Sequence, residues 1–168
     1  MKTITPFLWF DDRAEDAANF YVSTFGSLGG SAGDTRVVDV TRYGEAGSQA
    51  SGRPVGSVMT VAFRLAGQDI VALNGGPEFP FTEAVSLMVP CESQEEVDEL
   101  WDKLSAGGEQ GPCGWLKDRF GLSWQIVPTT LLEMLQDQDA ARRERVMAAM
   151  LQMKKIDIEG LQQAYDEG

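Results

Sequence analysis

Cys91 and Cys113 are the only thiols in the chain, and histidine is absent altogether. Without imidazole there is no Ser-His-Asp or Cys-His nucleophile pair, no His-rich zinc site and no His general base. Cys113 stands between Pro112 and Gly114 with no neighbouring base to raise its thiolate fraction, so it reads as a packed thiol rather than a nucleophile. The acidic pairs Asp11-Asp12, Glu95-Glu96 and Asp166-Glu167 fall at expected helix ends or on exposed faces. Carboxylates there are solvated or complement a helix N-terminus, and only a buried one would suggest acid/base work. Asn74-Gly75-Gly76-Pro77 could present backbone N–H groups to an anion, but a β-turn explains it equally well. The glycine-rich run Gly26 to Gly33 follows a helix and lacks GxGxxG spacing, so it is no dinucleotide loop.

The elements that must position these residues are legible in the periodicity. Ile4 to Phe10 is a short aromatic strand, and Asp11-Asp12 is expected to cap a helix carrying Ala14, Ala17, Ala18, Tyr21 and Phe25, which Gly26 ends. Thr35 to Tyr43 alternates as a strand, and Gly44 to Gly56 reads as a mobile loop. Val58 to Leu65 and Gln68 to Asn74 are strands joined by a tight hairpin at Ala66-Gly67. The pattern then restarts. Ala84 to Val89 is a strand, Ser93 caps a helix with Glu96 in capping-box position, and Val97, Leu100, Trp101 and Leu104 form its buried stripe. Gly107-Gly108 stops that helix, and Trp115-Leu116 and Ser123 to Val127 are closing strands about an Asp118–Gly121 turn.

A shift of 81 positions places Asp12 on Ser93, Phe20 on Trp101 and Gly26 on Gly107, so the chain repeats a strand, a capped helix and further strands. The expected fold is α+β: paired βαβββ modules with a C-terminal helical extension. Module one covers about 1–76, module two about 77–128, and together they form a domain over 1–128. Residues 129–168, with Leu131, Leu132, Leu135, Val146, Met147, Met150, Leu151, Ile156, Ile158, Leu161 and Tyr165 as apolar positions, have no duplicate upstream. Their Met-rich face suits packing on this chain or across a dimer. The chain has 168 residues with 14 basic against 26 acidic side chains, a formal charge of -12. Such a balance repels nucleic-acid phosphates and anionic membranes, and no apolar run approaches the roughly 18 residues of a membrane span. Sparse cysteine and no recognisable leader lead to an expected cytoplasmic location.

Four spaced motifs carry a family resemblance: Thr5-Pro6-Phe7-Leu8-Trp9-Phe10, then Asn74-Gly75-Gly76-Pro77 with Phe79 and Phe81, then Cys113 to Asp118, then Phe120 to Pro128. With the ending Met153-Lys154-Lys155-Ile156-Asp157-Ile158, the chain resembles over nearly its whole length the PhnB-like proteins, often labelled 3-demethylubiquinone-9 3-methyltransferase-like. That family belongs to the vicinal oxygen chelate superfamily, with the glyoxalases, extradiol dioxygenases and bleomycin-resistance proteins. The resemblance implies paired modules curling around a cavity, commonly in a homodimer, and one divalent metal held by a His or Glu from each of four strands.

Carried over position by position, those ligands fall at Thr5, Ala72, Ala84 or Ser86, and Gln125, none of them His, Asp or Glu. No metal and no cofactor is therefore expected at this site. If Thr5 and Gln125 face the cavity, strand alternation assigns Phe7, Trp9, Ile70, Ala72, Asn74, Ser86, Met88, Ser123 and Val127 to the same side. Thr5, Phe7, Trp9, Ala72, Asn74, Ser86, Met88 and Gln125 are thus the candidate ligand pocket, with few neutral polar groups among apolar walls. A filled core would use the same residues. Three functions stay open: a metal-free small-molecule-binding protein, an enzyme (lyase, isomerase or oxygenase) with an atypical metal set of Gln125 and loop carboxylates, or a structural homodimer. A methyltransferase using S-adenosylmethionine would need a glycine-rich loop after the first strand of an α/β sheet, which the chain does not offer.

Overall fold

A computed structural model describes residues 4–28 and 33–167, so part of the Gly26–Gly33 connection lies outside the described residues. The chain divides into two compact units, Met1–Phe81 and Thr82–Gly168. The first runs β1 (Phe7–Phe10), α1 (Ala14–Gly26), β2 (Arg36–Arg42), α2 (Glu45–Ser51), β3 (Val58–Leu65) and β4 (Gln68–Asn74). The second runs β5 (Ser86–Cys91), α3 (Gln94–Ser105), β6 (Glu109–Gln110), β7 (Trp115–Lys117) and β8 (Ser123–Pro128), then α4 (Thr129–Met134), α5 (Ala140–Met150) and α6 (Ile158–Asp166). Each unit holds one four-stranded sheet, ordered β1-β4-β3-β2 and β5-β8-β7-β6. In both, the first strand pairs parallel with the last, and the remaining pairs are antiparallel. The topology is therefore βαβββ twice, with α2 inserted in the first copy.

A parallel pair needs a long crossover, and its helix covers one sheet face. In the first unit α1 buries Ala14, Ala17, Ala18, Tyr21, Thr24 and Phe25, against a sheet face that includes Leu8, Phe10, Val61, Phe63, Ile70 and Ala72. In the second, α3 buries the expected Val97, Leu100, Trp101 and Leu104, over Leu116, Trp124 and Ile126. The helix N-caps are Arg13 and Ser93, 80 positions apart rather than 81. Tyr21, 1% exposed, is thus the counterpart of Trp101, 2% exposed, whereas Phe20 is half-buried.

Three local expectations change. Asp11-Asp12 does not cap α1: the N-cap is Arg13, without a side-chain cap, and the Ala14 N–H donates instead to Asn74 Oδ1 at 2.7 Å. The end of β4 lies beside the helix entry, so a residue 60 positions away supplies the acceptor. Gly44 to Gly56 is not simply a loop, because Glu45–Ser51 is helical and ends where Gly52 turns left-handed at φ 73°. Strand β5 starts at Ser86 and includes Pro90, which an edge strand tolerates because its missing donor need not face a neighbour. By contrast, Ser93 caps α3 as expected, its Oγ accepting from Glu96 N, while Glu96 Oε2 accepts from Glu92 N at 2.8 Å.

The C-terminal helices dock on their own unit. Val127, Leu131, Met134, Val146, Ile156 and Leu161 form one buried cluster, with Met150 and Met153 packed against it. Gln94 holds the final turn from α3, donating to Ile156 O at 3.1 Å and accepting from Ile158 N at 2.9 Å. Lys155 Nζ lies 2.7 Å from Asp98 Oδ1. Where the tail passes the 111–114 loop, Cys113 N donates to Met153 O and Gly114 N to Lys154 O, at 2.8 and 2.7 Å. Gly114 is required there: its φ is +80°, and a Cβ would sit 2.7 Å from Ile126 O.

Candidate functional site

With one face of each sheet under a helix, chemistry has to be sought on the opposite, open face. In the first sheet β1 pairs Phe7 with Val71, Leu8 with Ala72, Trp9 with Leu73 and Phe10 with Asn74. Paired residues share a face. Leu8, Phe10, Ile70, Ala72 and Asn74 are buried and face α1, whereas Phe7 is 60% exposed and Trp9 half-buried on the open side with Val71 and Leu73. Ala72 and Asn74 therefore do not share the face of Phe7 and Trp9, contrary to the alternation argument. Thr5 precedes β1 and is exposed.

Asn74 is fully committed to structure. Its Oδ1 accepts from Ala14 N at 2.7 Å, its Nδ2 donates to Val58 O at 3.2 Å, and its backbone carbonyl accepts from Tyr43 Oη at 2.6 Å. Trp9 is held over the following turn, its Nε1 donating to Gly76 O at 2.8 Å and its ring edge-on to Phe79 at 5.0 Å. Gly75 must be glycine beneath it, since a Cβ would lie 2.3 Å from Trp9 Cζ2.

The second sheet keeps the expected parity. Met88 pairs with Gln125 and Ser86 with Ser123 across β5 and β8, while Gln125 pairs with Trp115 and Ser123 with Lys117 across β8 and β7. Trp124 and Ile126 are buried on the helix side, which leaves Ser86, Met88, Trp115, Lys117, Ser123 and Gln125 on the other. Gln125 Nε2 donates to Ser86 Oγ at 2.8 Å, so two candidate site residues meet directly. Val127 shares this parity but lies in the cluster made with the C-terminal helices, which closes that end of the face.

Beside these residues is a cavity of about 390 Å³, lined among others by Glu83, Glu109, Cys113, Trp115, Lys117 and Ser123. Lys117 Nζ lies 2.6 Å from Glu83 Oε1 and 4.0 Å from Glu109 Oε2. The hydrogen bond from Lys117 holds the Glu83 carboxyl below its usual range, and the same bond, with Glu109 nearby, raises the Lys117 ammonium. Ser123 is 1% exposed, and its Oγ has no hydrogen-bond partner among the described residues. Sequence reasoning placed Ser123 on the cavity side but did not assign Trp115, Lys117, Glu83 and Glu109 to it, because β7 has three residues, β6 has two and Glu83 precedes β5, so none of them carries a periodic signal. Cys113 is half-exposed at the cavity rather than packed away, while Cys91 is buried. Asp118, a buried carboxylate of this sheet region, accepts from Phe120 N, Leu122 N and Trp124 Nε1, at 2.8, 3.1 and 2.8 Å. It braces the turn and the core tryptophan.

The donor set does not fit a chelated transition metal. Of the positions carried over, Ala72 faces the helix, its open-face neighbours are Val71 and Leu73, and Ser86 and Gln125 are neutral and bonded to each other. No three His, Cys, Asp or Glu side chains come together as metal ligands among the described residues. A hydroxyl and an amide are weak ligands for zinc, nickel or iron.

Two βαβββ units with these open faces define the vicinal oxygen chelate fold, the architecture of glyoxalase and bleomycin-resistance proteins. Residues 2–127 match the family described as 3-demethylubiquinone-9 3-methyltransferase, and the chain belongs to that PhnB-like family. Among solved structures it is similar to the PhnB protein of Bacillus cereus, at 34% identity over 76% of this chain and 99% of that one, with a TM-score of 0.62. A protein from Pseudomonas aeruginosa shares the fold at 20% identity, covering 76% and 98% of the two chains with a TM-score of 0.59. So does the fosfomycin resistance protein FosX of Listeria monocytogenes, solved with Mn(II) and sulfate ion, at 18% identity, 80% and 95% coverage and a TM-score of 0.52. No significant match is found among curated proteins. No described helix is long and apolar enough to cross a membrane.

Proposed function

We propose that this chain is a metal-free small-molecule-binding member of its family, whose site is the open face of the second sheet around Ser86, Met88 and Gln125 and the adjoining cavity. The observation that carries this is the Gln125–Ser86 hydrogen bond: the positions that would hold a cation instead hold each other. Gln125 Oε1 and the Ser86 hydroxyl remain able to orient a ligand, with Met88 and Trp115 as apolar surface, the mixture typical of a small-molecule pocket. Phe7 and Trp9 offer a second apolar open face on the first unit. The reading does not extend to methyl transfer, since β1 is followed by Asp11-Asp12-Arg13 rather than a glycine-rich loop, and each sheet is mostly antiparallel.

The test pairs metal analysis with thermal stability. After incubation with Mn(II), Ni(II) or Zn(II) and dialysis, the protein should retain no stoichiometric metal. A library of small aromatic alcohols, ketones and acids should contain compounds that raise the melting temperature, and Gln125→Ala should reduce that rise. One tightly retained divalent ion per chain would overturn the proposal.

A further inference from the structure

The cavity beside Gln125 narrows the ligand class, an inference that rests on the binding role proposed above. We infer that it takes a small, non-anionic, mainly aromatic molecule with one hydroxyl or carbonyl group that pairs with Ser123. Ser123 is on the open face by its pairing with Ser86 and Lys117, lines the cavity, and is almost wholly buried with its Oγ unpartnered among the described residues. A buried hydroxyl without a partner is costly, so a ligand group that reaches Ser123 Oγ from the cavity gains a bond that the ligand-free chain does not make. A hydroxyl both donates and accepts, so a phenol and a ketone are equally served. Trp115 and Pro112 supply apolar lining, and about 390 Å³ holds one or two fused rings.

Charge excludes anions. Lys117 is the one cation of the lining among the described residues and is already engaged by Glu83 at 2.6 Å, with Glu109 at 4.0 Å. Two carboxylates against one ammonium leave the cavity net negative, within a chain of formal charge -12. A carboxylate or phosphonate would have to displace Glu83 and meet repulsion from Glu109.

The cysteines provide a local reporter. Cys113 lines the cavity and is half-exposed. Cys91 is buried, its thiol pushed up to about 12 by burial, with Glu96 and Glu92 adding to the rise. N-ethylmaleimide therefore reads Cys113.

The experiment compares 2-naphthol with 2-naphthoate on the full chain, by melting temperature and by the rate of maleimide labelling at Cys113. The naphthol should raise the first and slow the second, and the naphthoate should do neither. Ser123→Ala should fold with no loss of ligand-free stability and bind 2-naphthol about five- to ten-fold more weakly, the effect of one neutral hydrogen bond. In Glu83→Gln, Lys117 keeps only Glu109 at 4.0 Å, and naphthoate binding should appear. Equal binding of both probes, or naphthol binding indifferent to Ser123→Ala, overturns the ligand class, yet leaves the binding role standing if Gln125→Ala weakens it. Absence of protection by 2-naphthol sinks this inference. The broader proposal fails separately, by retained metal.

Discussion

Neighbouring residues on β8 separate stability from binding. Trp124 is 2% exposed and its Nε1 donates to the buried Asp118 carboxylate, whereas Gln125 is half-buried and bonded only to Ser86 Oγ among the described residues. Trp124→Ala removes a large buried ring and strands an acceptor, and should cost about 3–5 kcal/mol. Gln125→Ala removes one neutral hydrogen bond and should cost about 0.5–1.5 kcal/mol. Urea unfolding of both variants checks this, and equal losses would show that the two faces are misassigned. Alternation made these residues legible, since Trp124 and Ile126 outweigh Ser123 and Gln125 as core formers. It failed on β4, where Val71 and Leu73 are as apolar as Ile70 and Ala72. There only the register with β1 decides which parity turns outward.

At the scale of elements, each helix start solves the same problem differently. Four N–H groups lack intrahelical acceptors at a helix N-terminus. Ser93 solves this locally for α3, while α1 depends on Asn74 from the end of β4. Asn74→Ala should therefore cost about 1–2 kcal/mol, the loss of a cap, and leave 2-naphthol binding to the second unit unchanged. A loss of binding without a loss of stability would return Asn74 to the pocket. Both helix positions were legible because their stripes are strong. The α1 cap was not: Asp11 and Asp12 have the right chemistry at the right place, and only the tertiary neighbour shows that Asn74 takes the role. Asp11 instead pairs with Arg53, 2.6 Å away. The short α2 was hidden by its Gly, Ser and Ala content, and β6 by its length.

Over the whole molecule, acidic side chains outnumber basic ones 26 to 14, and several are tied to cations. Asp34 by Arg36, Asp69 by Arg64, Glu83 by Lys117 and Asp98 by Lys155 are each held below the usual carboxylate range. A lowered folded pKa stabilises above the unfolded value and loses that effect as pH falls through the folded one. Between pH 7 and 5 these pairs stay intact, and below about pH 4 they are lost progressively. The urea midpoint should thus hold from pH 7 to 5 and decline below 4. A decline already at pH 6 would assign acid sensitivity to other groups. The sequence by itself determined the duplicated βαβββ plan, the absence of imidazole chemistry and the neutral residues at the carried-over metal positions, because periodicity, caps and residue types are local properties. Only the tertiary structure decided that Asn74 serves a helix, that the C-terminal helices cover Val127, and that Ser123, Lys117 and Glu83 share a cavity. Those facts depend on register and on contacts between residues far apart in the chain, which no local pattern encodes.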